Sequence, residues 1–201
     1  VLLGQVVSNS VFTEVEGYLS ERVREGTIVN ELKRPVSLRL QIYCYLIGKM
    51  LFNTLTKGLP VLVIGLLFLD MQTPMPLNAV GFIVALILSF NLVFAFSFLT
   101  SMLVFWTEIG WGIRAMRSNI QDVFSGVLFP LYLLPAGLAS VFDLLPLQAM
   151  AAGPIRIFTM DATGREMLNI FGLQVFWIIV IAVLGELAWR KAKKKMTVQG
   201  G

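Results

Sequence analysis

The sequence predicts an all-α membrane protein, a polytopic helical bundle with four complete spans and the end of one more. Three observations predict it. Of 201 residues, 57% are hydrophobic and 14% charged, whereas a soluble globular chain carries about 25% charged residues. The charges are also clustered: residues 71–107 contain none, and about 20 helical residues suffice to cross a bilayer. Finally, the apolar runs are continuous instead of alternating, which selects helices over a barrel. A mean hydropathy of +0.80 completes the case against a soluble domain, a disordered chain or a nucleic-acid binder.

Residues 1–13 are uncharged and read as the tail of a span whose beginning lies outside this sequence. The start, Val1-Leu2-Leu3, has no charged n-region and is no signal peptide. Residues 14–39 are the most polar stretch, with Glu14, Glu16, Glu21, Arg22, Arg24, Glu25, Glu31, Lys33, Arg34 and Arg39. Leading into them, Val11, Val15, Leu19 and Val23 recur every four residues beside Tyr18, an apolar stripe on a short amphipathic helix. Gly26 is its natural stop. Ile28, Val29 and Leu32 form a second small apolar group before Lys33-Arg34-Pro35, and Ser37 suits the cap of the next helix. Such a segment either lies at the lipid interface or docks a cytoplasmic subunit. The residues alone leave both open.

Four long apolar segments follow, at about 40–69, 79–106, 120–142 and 167–189, forming a transmembrane domain over 40–189 and leaving a basic tail at 190–201. Lys and Arg set its orientation. Placing alternate connections on alternate sides puts thirteen cations on one side, in 14–49, 107–119 and the tail, and two, Arg156 and Arg165, on the other. The positive-inside rule then assigns 14–39, the 107–119 loop and the C-terminus to the cytoplasm, and it explains the net charge of +4 without an anionic partner. Residues 144–164, with a re-entrant segment at 144–160, are mostly apolar but broken by Pro146, Gly153, Pro154 and Gly164. They are too short and broken to cross, and predict short helices in or dipping into the outer leaflet. Pro130 and Pro135 would kink the preceding span.

Composition removes most enzyme chemistry. Without histidine there is no Ser-His-Asp triad and no histidine metal cluster. The single Cys44 reads as a small buried hydrophobe. Lys57 is the one charge deep in a span, where insertion costs roughly 2.5–3.5 kcal/mol. Asn53, one turn earlier, with Thr56 and Pro60 nearby, could make a polar stripe along a transport path; otherwise Lys57 snorkels to the interface. Asn91, mid-span, reads first as an interhelical hydrogen-bond contact and second as a path residue. Glu186 and Arg190 make an i,i+4 pair. Asp122, after Ser118, is placed in the first turn of the third span. Asp70 and Asp143 fall at span ends with no partner in sequence. A P-loop is missing: the only Gly-Lys, Gly48-Lys49, has Tyr43 where the first glycine belongs and Met50 where Ser/Thr belongs. Active transport would need its energy from another subunit or an ion gradient.

The order of features resembles a known family. Leu32-Lys33-Arg34-Pro35 precedes the spans, and the 106–117 turn reads WTEIGWGIRAMR. Ser125-Gly126, Pro130, Leu145-Pro146, Pro154 and Gln174-Val175-Phe176-Trp177 follow, then a basic tail closing Val198-Gln199-Gly200-Gly201. The chain resembles permease subunits of bacterial ABC transporters of the type-two exporter class, the branch with drug and viologen exporters. That resemblance implies six spans in full length, in the bacterial inner membrane with the C-terminus inside. It also implies a half-transporter exporting a hydrophobic or amphipathic small molecule, its two permease chains (a homo- or heterodimer) pairing with two ATP-binding subunits. ATP and Mg would sit on those partners, with no cofactor on this chain. Glu21, Arg22, Arg24, Glu31, Arg34, Glu108 and Arg114 would contact the ATPase, and Asn53, Lys57 and Asn91 would mark the path. Competing classes are a carboxylate enzyme in the membrane, a gradient-driven carrier and a non-transporting scaffold. The missing histidine and paired acids count against the first, and no internal repeat supports the carrier.

Overall fold

The fold comes from a computed structural model that describes residues 2–12, 14–68, 73–107, 110–124, 144–159 and 162–199. Every regular element among these is helical, so the chain is an all-α polytopic protein, as composition predicts. Helix α1 (Leu2–Val11) leads into α2 (Val15–Arg24) and α3 (Ile28–Leu32). A long helix follows in three pieces: α4 (Leu38–Asn53), a π turn (Thr54–Gly58) and α5 (Leu59–Phe68). Next come α6 (Pro76–Ser101), α7 (Val104–Thr107) and α8 (Gly110–Phe124). The last two are α9 (Pro146–Thr159) and α10 (Gly164–Gln199).

Among the described residues, three stretches are long and apolar enough to cross a membrane: Leu38–Phe68, Pro76–Thr107 and Gly164–Lys194. They match three of the four expected spans. Most of the expected 120–142 span, with Pro130 and Pro135, lies outside the described residues, as do Asp70 and Asp143. Side-chain exposure follows a membrane pattern. Leu51, Phe52, Leu55, Leu67 and Phe68 of α4–α5 point away from the protein, a continuous apolar belt too large for a surface in water. By contrast α6 is the hub, burying Phe82, Ser89, Phe90, Leu92, Ser97 and Phe98 among others.

Contacts along α6 fix the directions of its neighbours. A Cβ built on Gly81 would lie 3.0 Å from Met167 Sδ, and one on Gly185 would lie 3.4 Å from Phe98 Cδ1, so α6 and α10 run parallel. Tyr43 meets Phe90 and Phe94, with ring centroids 5.9 and 4.9 Å apart. The Arg39 guanidinium sits 5.3 Å from the Phe98 ring, so α4 is antiparallel to α6. At the Ser101 end, Phe105 packs on Trp189 at 5.9 Å. The start of α4, the end of α6–α7, the beginning of the lysine-rich stretch, and helices α2 and α8 therefore gather at one end of the bundle.

Helix α9 occupies the other half. Its Ala149 carbonyl lies level with Ser89, near the middle of α6, while Phe158 meets Phe82 edge to face at 5.1 Å, close to the Pro76 end. The indole of Trp177 donates to the Leu144 carbonyl at 2.8 Å. The chain thus enters α9 beside the middle of α10 and climbs to its start. The expected string of short helices is instead one helix that keeps Pro154 inside it, since α6, α10 and α1 pack around it and hold its backbone.

Two further expectations need correction. The 107–119 loop is mostly helix α8, so Asp122 lies in the last turns of a helix and not its first, where it accepts from the Ser118 hydroxyl at 3.3 Å. Its amphipathic face packs on α2 and α6, and that support outweighs Gly110 and Gly112 in its sequence. Cys44 is exposed, not buried: in a bilayer an apolar neighbourhood in sequence often faces lipid.

Candidate docking site and span interior

The helix pair α2–α3 begins with the stripe read from sequence. Val11, Val15 and Leu19 are fully buried. Gly26 adopts φ +70, the left-handed conformation that ends a helix at least cost on glycine. Ser37 caps α4, its hydroxyl accepting from the Leu40 N–H at 3.4 Å.

On this frame Glu31 is clasped from two sides. Arg22 Nε donates to its Oε1 at 3.4 Å, and Arg34 Nη1 lies 3.1 Å from its Oε2, an ion-pair contact away from the hydrogen-bond direction. Gln41 ties down the same corner, donating to the Glu31 carbonyl at 3.0 Å and the Val36 carbonyl at 2.8 Å. Arg22 also covers the Tyr18 ring, 3.4 Å from its centroid. Burial pushes the Tyr18 phenol above its ordinary value, against the opposite pull of Arg22, so the ring beneath the cation stays neutral. Of the five positions expected in this segment, Arg22, Glu31 and Arg34 thus brace the corner itself. Glu21 and Arg24 are exposed.

Arg114 is half-exposed and pairs with Glu14 at 2.6 Å. Glu108 lies outside the described residues.

One turn along α8, a second ion pair is buried. Arg117 Nε donates to Glu16 Oε1 at 2.6 Å, with side chains 4% and 0% exposed. Thr100 Oγ1 donates to the same oxygen at 2.7 Å, and Ser97 Oγ to Glu16 Oε2 at 2.8 Å. Ser97 Oγ in turn accepts from the Val15 N–H at 3.1 Å, and Arg117 Nη1 donates to Gln121 Oε1 at 2.5 Å. A carboxylate with three side-chain donors is well compensated for burial, and Glu16 sits in the first turn of α2, where the helix dipole favours an anion. Sequence reasoning missed this cluster. The available signal was two acids, Glu14 and Glu16, matched by two arginines one turn apart, Arg114 and Arg117.

A neutral cluster holds the middle of the bundle. Gln174 Nε2 donates to Ser89 Oγ and the Ala149 carbonyl, each at 2.9 Å, and reaches the Ala85 carbonyl at 3.3 Å. This one amide joins α6, α9 and α10.

The expected path residues do not converge. Asn91 makes the interhelical contact, accepting from the Tyr43 hydroxyl at 2.8 Å while donating to the Ile87 carbonyl at 2.7 Å. It also lines a groove of about 410 Å³ between α4, α6 and α10, with Arg39, Phe94 and Ile178. Asn53 is half-buried and Lys57 exposed, both about 15 Å or more along the helix from Tyr43. Glu186 and Arg190 pair at 3.2 Å on the surface. No group of metal-ligating side chains occurs among the described residues.

A family model described as "ABC-2 family transporter protein" matches residues 1–200. The chain belongs to the ABC-2 transporter family. It is accordingly a multi-pass transmembrane permease of an ABC transporter, a transport component that works with an ATP-binding subunit and not an enzyme by itself. No curated protein and no solved structure matches it.

Proposed function

We propose that this ABC-2 permease is the membrane half of a bacterial inner-membrane exporter for a hydrophobic or amphipathic small molecule. A separate ATPase carrying ATP and Mg would drive it, with a second permease chain, identical or paralogous, across the cleft. The observation that carries this reading is the gathering of α2, α3, α8 and the basic start of the C-terminal stretch at one end of the bundle. The cation bias makes that end cytoplasmic, where an ATPase must dock. At the opposite end, α9 fits the ascending arm of a re-entrant segment within 144–160: at about 1.5 Å per residue it is roughly 21 Å long, shorter than the bilayer core.

The division of labour among the charged residues refines the docking surface. Arg22, Glu31 and Arg34 hold the shape of the corner, whereas Glu21 and Arg24 present free charge to a partner. Within the spans Asn91, in its groove, is the path position this reading favours. Lys57 lies about 16 Å from the Phe68 end of its helix, near enough for its ammonium to snorkel toward headgroups.

The test is co-purification of the full-length chain with its ATP-binding subunit. Glu21→Lys together with Arg24→Glu should weaken the complex about tenfold, a loss of roughly 1.4 kcal/mol, while leaving the fold intact. Unchanged co-purification would make this segment a lipid-interface anchor.

A further inference from the structure

We propose that Glu16, Arg117, Ser97 and Thr100 form a coupling joint that binds the docking helices to α6, so that displacement of α2 and α8 by the ATPase moves α6 with them. This rests on the docking reading above and adds the residues through which motion passes into the spans.

The first argument is energetic. A fully buried ion pair gains little net stability, because desolvation cancels most of the Coulomb attraction; well-packed apolar side chains hold helices together as well or better. Stability alone therefore does not account for charge at this position. Directional bonding does. Apolar surfaces slide over one another, whereas the Glu16 carboxylate is fixed by donors from two other helices: Ser97 at 2.8 Å, Thr100 at 2.7 Å and Arg117 at 2.6 Å. Ser97 also takes the Val15 backbone N–H at 3.1 Å, so the backbone of α2 is gripped along with its side chain.

The second argument is steric. At Gly110, the first residue of α8, a Cβ would land on Ser20 and lie 3.2 Å from the Glu16 carbonyl oxygen. The two backbones touch there, and α8 has no room to move toward α2. Glu14–Arg114 at 2.6 Å adds an outer rung beside the buried one, so relative rotation of the helices would break both.

The third argument is the route. Glu16 reaches α6 directly, across more than eighty residues of sequence, without passing through α3 or α4. The Arg22–Glu31–Arg34 clasp on α3 is partly exposed, with Arg34 61% accessible, and ion pairs of that kind are weak. The stiff connection from the docking surface to the spans is the buried one.

The experiment uses the complete transporter in proteoliposomes, with Cys44→Ser and Ile83→Cys carrying an environment-sensitive fluorophore. Ile83 is exposed on α6, about 21 Å along the helix from Ser97. ATP with vanadate should shift the fluorescence in the parent protein. In Glu16→Leu with Arg117→Met, which removes both charges together, the protein should stay folded with unreduced thermal stability, and the shift should fall about fivefold or more, the low end for coupled sites. Glu16→Gln, which keeps size and an acceptor, should give a smaller loss. A parent-sized shift in a folded double variant overturns the joint and leaves the cluster as a fixture of the fold. A double variant that does not fold shows the pair is needed for stability and overturns it too. A parent protein with no ATP-dependent signal overturns the docking reading and the joint together.

Discussion

The two polar clusters on α6 hold it with different chemistry. Near its Ser101 end, Ser97 and Thr100 meet an ion pair, Glu16 and Arg117; around Ser89, two turns earlier, the partner is the neutral amide of Gln174. Depth explains the contrast. A lone ion at mid-span costs roughly 2.5–3.5 kcal/mol on insertion scales, so a neutral amide whose NH2 group donates to carbonyls and a hydroxyl is the cheaper fastener there, even with its buried Oε1 left without a hydrogen bond. Near the end of the span, α2 and α8 supply both charges, and the hydroxyls of Ser97 and Thr100 complete the donors that allow Glu16 to be buried. The same helix is thus fastened to α2 and α8 by charged, multiply bonded groups and to α9 and α10 by a single neutral amide.

Removing one member of each cluster tests that contrast. Arg117→Ala strands the Glu16 carboxylate in the interior and should cost about 3–5 kcal/mol, read as a large fall in thermal stability of the purified complex. A loss below about 1 kcal/mol would mean that water reaches Glu16 and that the clusters are alike. Gln174→Leu forfeits the bonds to Ser89 and Ala149, and interhelical hydrogen bonds in membranes are worth about 0.6–1.7 kcal/mol; denaturation in detergent mixtures should give a loss in that range. A cost equal to that of Arg117→Ala would erase the distinction. The exposed Glu186–Arg190 pair in the second half of α10 sets the floor: Glu186→Gln should change stability by about 0.3–0.5 kcal/mol, and a larger effect would point to a further partner for this carboxylate.

Much of this organisation is legible in the residues, and the failures share a cause. The valine–leucine stripe of α2, the Ser37 cap and the Gly26 stop depend on neighbours within a turn or two, so sequence carries them. Glu16 follows the stripe residue Val15 directly and looks solvated if α2 packs on one side. In the structure α2 is enclosed by α6 and α8, and its second face is polar because it meets Arg117. Helix α8 was hidden in the same way, since its two early glycines argue against a helix until α2 and α6 support it. Cys44 misled for the opposite reason: lipid accepts apolar side chains as readily as a protein core does.

The π turn at Thr54–Gly58 decides where the lysine of this helix points. Leu38, Ile42 and Leu46 mark the inward stripe of α4. At 3.6 residues per turn an unbroken helix would continue that stripe through about positions 53, 57, 60 and 64. At the end of the π turn and beyond it the buried positions are instead Gly58 and Gly65, one residue later, because the wider turn absorbs one extra residue. That shift rotates the rest of the helix by about 100° and swings Lys57 off the packed face. The same residues wound as an unbroken α-helix would turn that ammonium against α1, where a Cβ on Gly58 would already lie 2.7 Å from Ser10 Oγ.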